Sequence, residues 1–169
     1  MNLRAIFAAY TIAAFGSTMM TFDALGQKQT LKEQLVGTWT LLSWEQKKGD
    51  GTKVERYGIS PKGIAFFDGG GRYIITVMRS ERAKYASNAL WQGTPNENKE
   101  TADGTITYFG TYSISEVDSS IAIHVEGSSF PNWNSTDQKR FVVIAGEKLT
   151  LTVRPPAGNL VDVIWKRAN

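Results

Sequence analysis

Residues 121–141 read IAIHVEGSSFPNWNSTDQKRF, and this stretch determines how the rest of the chain is interpreted. It opens with the period-two alternation of a strand and breaks into a polar, aromatic turn at residues 131–136. It then resumes as a second strand, so the stretch predicts two antiparallel neighbours joined by one turn. The first strand carries the chain's one histidine, His124, with Glu126 two residues on.

The same pattern of short strands and tight turns continues through most of the chain. Glycine-rich turns such as GDG at 49–51 and DGGG at 68–71 separate the strands. A strand rather than a helix follows DGGG, which favours a hairpin over a phosphate loop. Strands are predicted at residues 38–47, 52–57, 63–68, 73–78, 105–115, 120–128, 138–144, 148–153 and 160–166. The fold class is therefore all-β, a closed antiparallel β-barrel of about eight to ten strands, which is a size whose interior can hold one small ligand.

Two helix starts interrupt the strands. Thr30 and Glu33 form a capping box, which predicts a short helix over residues 31–36 that ends at Gly37. Residues 79–103 are the one long irregular segment, and TPNE at 94–97 predicts a short helix near residues 96–101 inside it. Long loops of this kind are often lids or binding loops.

The first 26 residues have the layout of a secretory signal peptide. A positive start precedes an uncharged, mostly apolar run, and ALG at 24–26 offers a cleavage site before Gln27. The run is shorter than the roughly 20 residues that span a membrane. We expect a domain of residues 27–169 that is secreted, periplasmic or extracellular, without stable membrane insertion after cleavage.

Composition excludes several classes of function. The net charge is only +3, and its 19 basic residues are spread along the chain, unlike the concentrated stripe of a nucleic-acid binder. There is no cysteine, so disulfides and thiolate chemistry are absent. One histidine with scattered carboxylates predicts neither a metal site nor a cofactor. No G-x-S-x-G motif occurs for a serine nucleophile.

The motifs resemble those of the bacterial and fungal lipocalin-like domain family, a group of small, calycin-like β-barrels. The resemblance rests on LVGTW at 35–39, L-x-S-x-E at 41–45, MR at 78–79, GTP at 93–95, YFGTY at 108–112, HVEGS at 124–128, PNW at 131–133, T-D-Q-x-R at 136–140 and VIWKR at 163–167. It covers essentially all of residues 27–169 and implies the barrel, but no defined reaction. The lipocalin T-D-Y motif stands here as TDQ at 136–138.

The orientation of the strand at 120–128 admits two interpretations. Hydrophobicity alone places Ile121, Ile123 and Val125 inside and His124 outside. The family pattern HxExS suits a polar-lined interior instead, and a bulge at Gly127 would change the frame midway. On the first strand, alternation puts Trp39, Leu41, Ser43 and Glu45 on one face.

Three functions remain open at this point. The first is binding of a small apolar or amphipathic molecule inside the barrel. The second is an isomerase or cyclase in which His124, Glu126 and Tyr108 act as an acid/base set. The third is a cell-envelope interaction module with a filled barrel. Trp133 is either a ligand-stacking tip or a plug over the core, and the long loop is a possible lid. The candidate ligand-binding residues are Tyr108, Tyr112, His124, Glu126, Trp133, Arg140, Arg79 and Tyr85. The sequence predicts neither the ligand nor the oligomeric state.

Overall fold

The computed structural model describes residues 29–155 and 158–168. The predicted signal peptide lies outside these residues. The helices are α1 (Leu31–Leu35), α2 (Pro95–Asp103) and a 3₁₀ turn, η1 (Pro131–Trp133). The strands are β1 (Gly37–Lys47), β2 (Lys53–Val54), β3 (Lys62–Phe67), β4 (Arg72–Met78), β5 (Thr105–Ser115), β6 (Ser120–Ser128), β7 (Thr136–Ala145), β8 (Lys148–Val153) and β9 (Leu160–Arg167).

Eight of the strands form a closed antiparallel barrel. Each pairs with the next in the order β1-β3-β4-β5-β6-β7-β8-β9, and β1 pairs back with β9. The short β2 only extends one end of β1, where Gln46 and Lys47 pair with Val54 and Lys53. The predicted barrel is confirmed, and the weak strand expected at residues 52–57 shrinks to two residues. Closure leaves the barrel strands no unpaired edge.

The helix α1 closes one end of the barrel. Its capping box is present, with Thr30 and Glu33 satisfying each other's backbone N–H groups, and its buried leucines face the core. The indole N–H of Trp39 donates to the carbonyl of Leu35 at 2.8 Å. Arg167 donates to the carbonyls of Gln34 and Val36 and stacks over the Trp39 ring. This end is called the α1 end, and the opposite end is called the mouth.

The predicted second helix is also confirmed, as α2. Thr94 caps it and Glu97 completes the capping box. Glu97 additionally accepts from the backbone N–H of Ala86 at 2.9 Å, which ties the preceding loop to the helix. No residue of α2 is buried, so the helix lies on the surface of the barrel.

Two β-bulges decide which side chains face inward. In β1, Leu41 pairs with Trp165 but Ser43 pairs with Ile164, so one residue is extra. The face changes there, and Trp44 rather than Glu45 packs against the core. The expectation that Ser43 and Glu45 share a face with Trp39 is therefore wrong, because a bulge shifts the period-two alternation by one residue.

The second bulge lies in β6, next to the predicted position. Phe109 pairs with Gly127 and Gly110 pairs with Val125, which leaves Glu126 as the extra residue. Gly110 is required opposite it, because a Cβ atom there would lie 1.9 Å from the carbonyl oxygen of His124. The bulge keeps Glu126 outside while Ser128 returns to the interior side, opposite the buried Tyr108.

Candidate functional site

The strand β6 has the orientation that its hydrophobic pattern predicted. Ile121, Ile123 and Val125 are buried in the barrel core. His124 and Glu126 lie on the outer face and are exposed. Burying three branched apolar side chains is worth several kcal/mol, whereas burying a histidine and a carboxylate would be costly. The polar-lined interpretation of this strand is therefore corrected.

The two outer-face residues pair with partners on neighbouring strands. The His124 Nδ1 atom lies 2.8 Å from an oxygen of Asp137, and 46% of the histidine side chain is exposed. Glu126 lies 2.7 Å from the guanidinium of Arg72. Pairs this exposed contribute little to stability. Tyr108 is buried on the other face of the sheet, so the structure does not bring it together with His124 and Glu126 as an acid/base set.

Among the described residues, the buried charged side chain is that of Arg140. Only 6% of it is exposed. Its guanidinium donates to the side-chain oxygen of Gln138 and to the carbonyl of Lys139. Among the described residues, no carboxylate lies within ion-pair distance of Arg140. Burying a guanidinium without a carboxylate is costly, so this position is the most unusual in the core.

A chain of hydrogen bonds links Arg140 to the turn at the mouth. Gln138, which accepts from Arg140, donates to the hydroxyl of Thr136 at 3.3 Å. Thr136 in turn donates to the carbonyl of Trp133 at 2.7 Å. The TDQ motif therefore directs its first and third residues to this chain, while Asp137 points outward to His124.

Four tyrosines of the described chain are buried in the core, and the sequence predicted two of them, Tyr108 and Tyr112, as ligand-binding candidates; the other two are Tyr57 and Tyr73. Burial raises the pKa of Tyr108, and the charge and hydrogen bond of Arg140 act against that rise. Burial also raises the pKa of Tyr73, which the proximity of Tyr108 raises further and the charge of Arg140 lowers. The Tyr112 hydroxyl donates to the carbonyl of Asp68 at 2.6 Å and is satisfied. Tyr73 was missed as a candidate, although it alternates with Ile75 and Val77 on β4.

Tyr73 differs from Tyr108 and Tyr112 because its hydroxyl makes no hydrogen bond with the described residues. Only 3% of the residue is exposed. A buried hydroxyl normally finds a partner, because leaving it unpaired costs about 1–3 kcal/mol.

A row of aromatic rings runs from Tyr73, inside the barrel, to the mouth. Tyr73 and Tyr108 have ring centroids 6.0 Å apart, and Tyr108 and Trp133 lie 5.3 Å apart, edge to face. Trp133 contacts Phe130 in the same way at 5.8 Å, and Phe130 is 46% exposed. Trp133 packs against the core cluster, so in this structure it is a plug over the interior.

The two candidate residues at the long irregular segment, Arg79 and Tyr85, make contacts within that segment and α2. Arg79 pairs with Glu100 of α2 at 3.3 Å. The would-be Cβ of Gly93 lies 2.7 Å from the ring of Tyr85, so the ring packs closely on the backbone there. Neither residue contacts Arg140 through these interactions, and the structure does not bring Arg79 and Tyr85 together with Arg140 and Tyr108 inside the barrel.

Two open cavities lie at the α1 end rather than in the barrel. One of about 520 Å³ is lined by residues including Thr30, Gly71 and Tyr112. The other, of about 410 Å³, is lined by residues including Gln34 and Arg167. Twenty buried residues of the described chain form one core cluster, so side chains occupy much of the barrel interior.

Residues 29–155 and 158–168 hold no group of three His, Cys, Asp or Glu side chains that could bind a metal ion. None of the helices in these same ranges has the length and apolar character needed to cross a membrane.

The closed barrel, its α1 cap and its apolar interior with a row of aromatic rings define a small β-barrel of the ligand-binding type. The chain belongs to the lipocalin-like domain family, whose model matches residues 36–168. None of the curated proteins matches the sequence. Among solved structures, a redesigned β-barrel is similar over 84% of this chain and 98% of its own, with 9% identity and a TM-score of 0.44.

Proposed function

We propose that this protein binds a small, largely apolar molecule in the mouth half of its barrel. The observation that carries the proposal is the row of aromatic rings from Tyr73 to the exposed Phe130. A row of aromatic rings that is buried at one end and exposed to solvent at the other is typical of sites for small amphipathic molecules. Membership of the lipocalin-like family supports the same general activity.

A ligand reaches this region by displacing the turn that closes it. The turn η1 is a single 3₁₀ turn without a side-chain cap, and it buries no residue completely. Trp133, in this turn, covers Tyr108, and Phe130, which precedes the turn, packs against Trp133. Segments with few buried contacts open at low free-energy cost, so the turn acts as a movable cover.

The test is titration with N-phenyl-1-naphthylamine, a neutral dye that fluoresces in apolar surroundings. We expect saturable binding of one dye per chain. Trp133→Ala removes the cover and is expected to raise the association rate severalfold. Trp91→Ala is the matched control, because that tryptophan is 89% exposed in the long loop and covers nothing. Absence of saturable binding would reject the proposed function.

The location of the dye needs a second control. Phe66 is exposed on the outer face of β3, on the opposite side of the wall from the interior. Phe66→Ser is expected to leave dye binding unchanged. If Phe66→Ser abolished dye binding and Trp133→Ala left it unchanged, the dye would lie outside the barrel.

Export is the second part of the proposal. The charge and apolar pattern of residues 1–26 supports a signal peptide. Expression of the full chain in a bacterium, followed by N-terminal sequencing of the periplasmic fraction, is expected to give a protein beginning at Gln27. A full-length protein in the cytoplasmic fraction would contradict export.

One observation favours a second function, an interaction surface. Phe66, Ile74 and Phe109 pair laterally across β3, β4 and β5, and all three are more than 40% exposed. Contiguous exposed apolar residues often mark interfaces. Sedimentation at increasing concentration would show a dimer that Phe66→Ser abolishes if this strip joins two copies.

A further inference from the structure

The interior carries one positive charge that the described chain does not neutralise. The charge belongs to Arg140, which is nine-tenths buried and donates to an amide oxygen, a backbone carbonyl and the hydroxyl of Tyr108. A guanidinium has five N–H donors in a planar fork, a shape that matches the two oxygens of a carboxylate. Its remaining donors therefore suit an anion inside the barrel.

An unpaired hydroxyl lies in the same region. The Tyr73 hydroxyl is buried without a partner among the described residues. The rings of Tyr73 and Tyr108 have centroids 6.0 Å apart, and both residues are buried, as Arg140 is. The charge of Arg140 acts to lower the pKa of both hydroxyls, in agreement with this proximity. One cation and two hydroxyl donors form a set that accepts negative charge, and no carboxylate of the described residues lies within ion-pair distance of the guanidinium.

We propose that Arg140, with the hydroxyls of Tyr73 and Tyr108, binds the carboxylate of a small amphipathic acid. This inference rests on the proposed function and names the class of ligand. A single guanidinium matches a group with one negative charge, which favours a carboxylate over a doubly charged phosphate. The apolar part of the acid follows the aromatic row past Trp133 towards the mouth.

The hydrogen-bonded chain from Arg140 fits the same arrangement. A carboxylate competes with Gln138 for the guanidinium, and Gln138 is connected through Thr136 to the carbonyl of Trp133. The residue that holds the anion is thus connected to the turn that covers the ligand.

The test compares decanoate with 1-decanol, which share a chain length and differ in charge, as competitors of the bound dye. The folded protein is expected to bind decanoate about 10- to 100-fold more tightly than decanol, the range for hydrogen bonds to charged groups. Arg140→Gln is expected to remove this preference and leave decanol affinity unchanged. Arg72→Gln is the matched control, because it removes a charge from the outer face.

The outcomes separate the two proposals. Equal affinity for decanoate and decanol would overturn the carboxylate site and leave the proposed function standing. Displacement of a saturably bound dye by neither compound would overturn the carboxylate site, whereas absence of saturable dye binding would reject both proposals. Tighter binding of decyl phosphate than of decanoate would overturn the assignment to a carboxylate.

Tyr73→Phe provides a second variant in case Arg140→Gln does not fold. It removes only the unpaired hydroxyl and is expected to weaken decanoate binding about fivefold to tenfold, again without an effect on decanol binding. Unchanged decanoate affinity in this variant would show that Tyr73 takes no part in the site.

Discussion

Arg167 fastens α1 to the end of the barrel, and its replacement by alanine is expected to loosen that end. Its guanidinium donates to the carbonyls of Gln34 and Val36 at the C-terminal end of the helix and lies 4.2 Å from the centroid of the Trp39 ring. Gly37 makes this approach possible, because a Cβ there would lie 2.9 Å from the guanidinium. The helix has only five residues, so contacts to the barrel must hold it in place.

The magnitude follows from these three interactions. A hydrogen bond from a charged donor contributes about 1.5 kcal/mol, and a cation–π contact about 1 kcal/mol. Water replaces part of this because the bonds are only partly buried. We therefore expect Arg167→Ala to lower the free energy of unfolding by about 2 kcal/mol. Arg167→Lys keeps the charge but loses the fork, and it is expected to cost about 1 kcal/mol.

Urea unfolding measures both variants, and Lys166→Ala is the matched control. Lys166 is the neighbouring residue on β9, with an exposed ion pair to Glu147 at 3.5 Å, so its loss is expected to cost less than about 0.5 kcal/mol. Hydrogen exchange is expected to accelerate in α1 for Arg167→Ala alone. If Arg167→Ala and Lys166→Ala were equally stable, α1 would not depend on Arg167 for its attachment.

Three further substitutions and one pH dependence test the same structure. Tyr73→Phe is expected to raise the stability of the ligand-free protein by about 1 kcal/mol, since it removes a buried hydroxyl without a partner; a loss of stability in urea unfolding would contradict this. Gly110→Ala is expected to cost at least about 3 kcal/mol because its Cβ meets a backbone oxygen, whereas Gly69→Ala, with nothing within 4 Å, should cost far less. The backbone N–H groups of Ala86 and Thr94 hold the pKa of Glu97 below 4.5, so this contribution to stability is present above pH 4.5 and is lost as the pH falls through the lowered pKa; hydrogen exchange near α2 should show this pH dependence, and Glu97→Gln should abolish it. His124→Ala is expected to leave dye binding unchanged and stability within about 0.5 kcal/mol, and a loss of binding would return this residue to the site.

Local sequence patterns determined the elements of this protein. Period-two alternation located the barrel strands, and β5, β6 and β8 have the predicted bounds. The two capping boxes located both helices, because Thr and Glu three residues apart satisfy the helix's first N–H groups wherever the helix lies. Closure followed from the number of strands, since an antiparallel sheet of that size removes its edges by closing.

Tertiary structure decided which residues face inward and which of them meet. Bulges at Leu42 and Glu126 shift the alternation, and a bulge depends on the pairing of two strands distant in sequence. Arg140 is exceptional because no described carboxylate reaches it, a fact about distances between strands that no local pattern contains. Tyr73 looked like an ordinary core residue on β4. Only the folded barrel shows that its hydroxyl lacks a partner and lies near that charge.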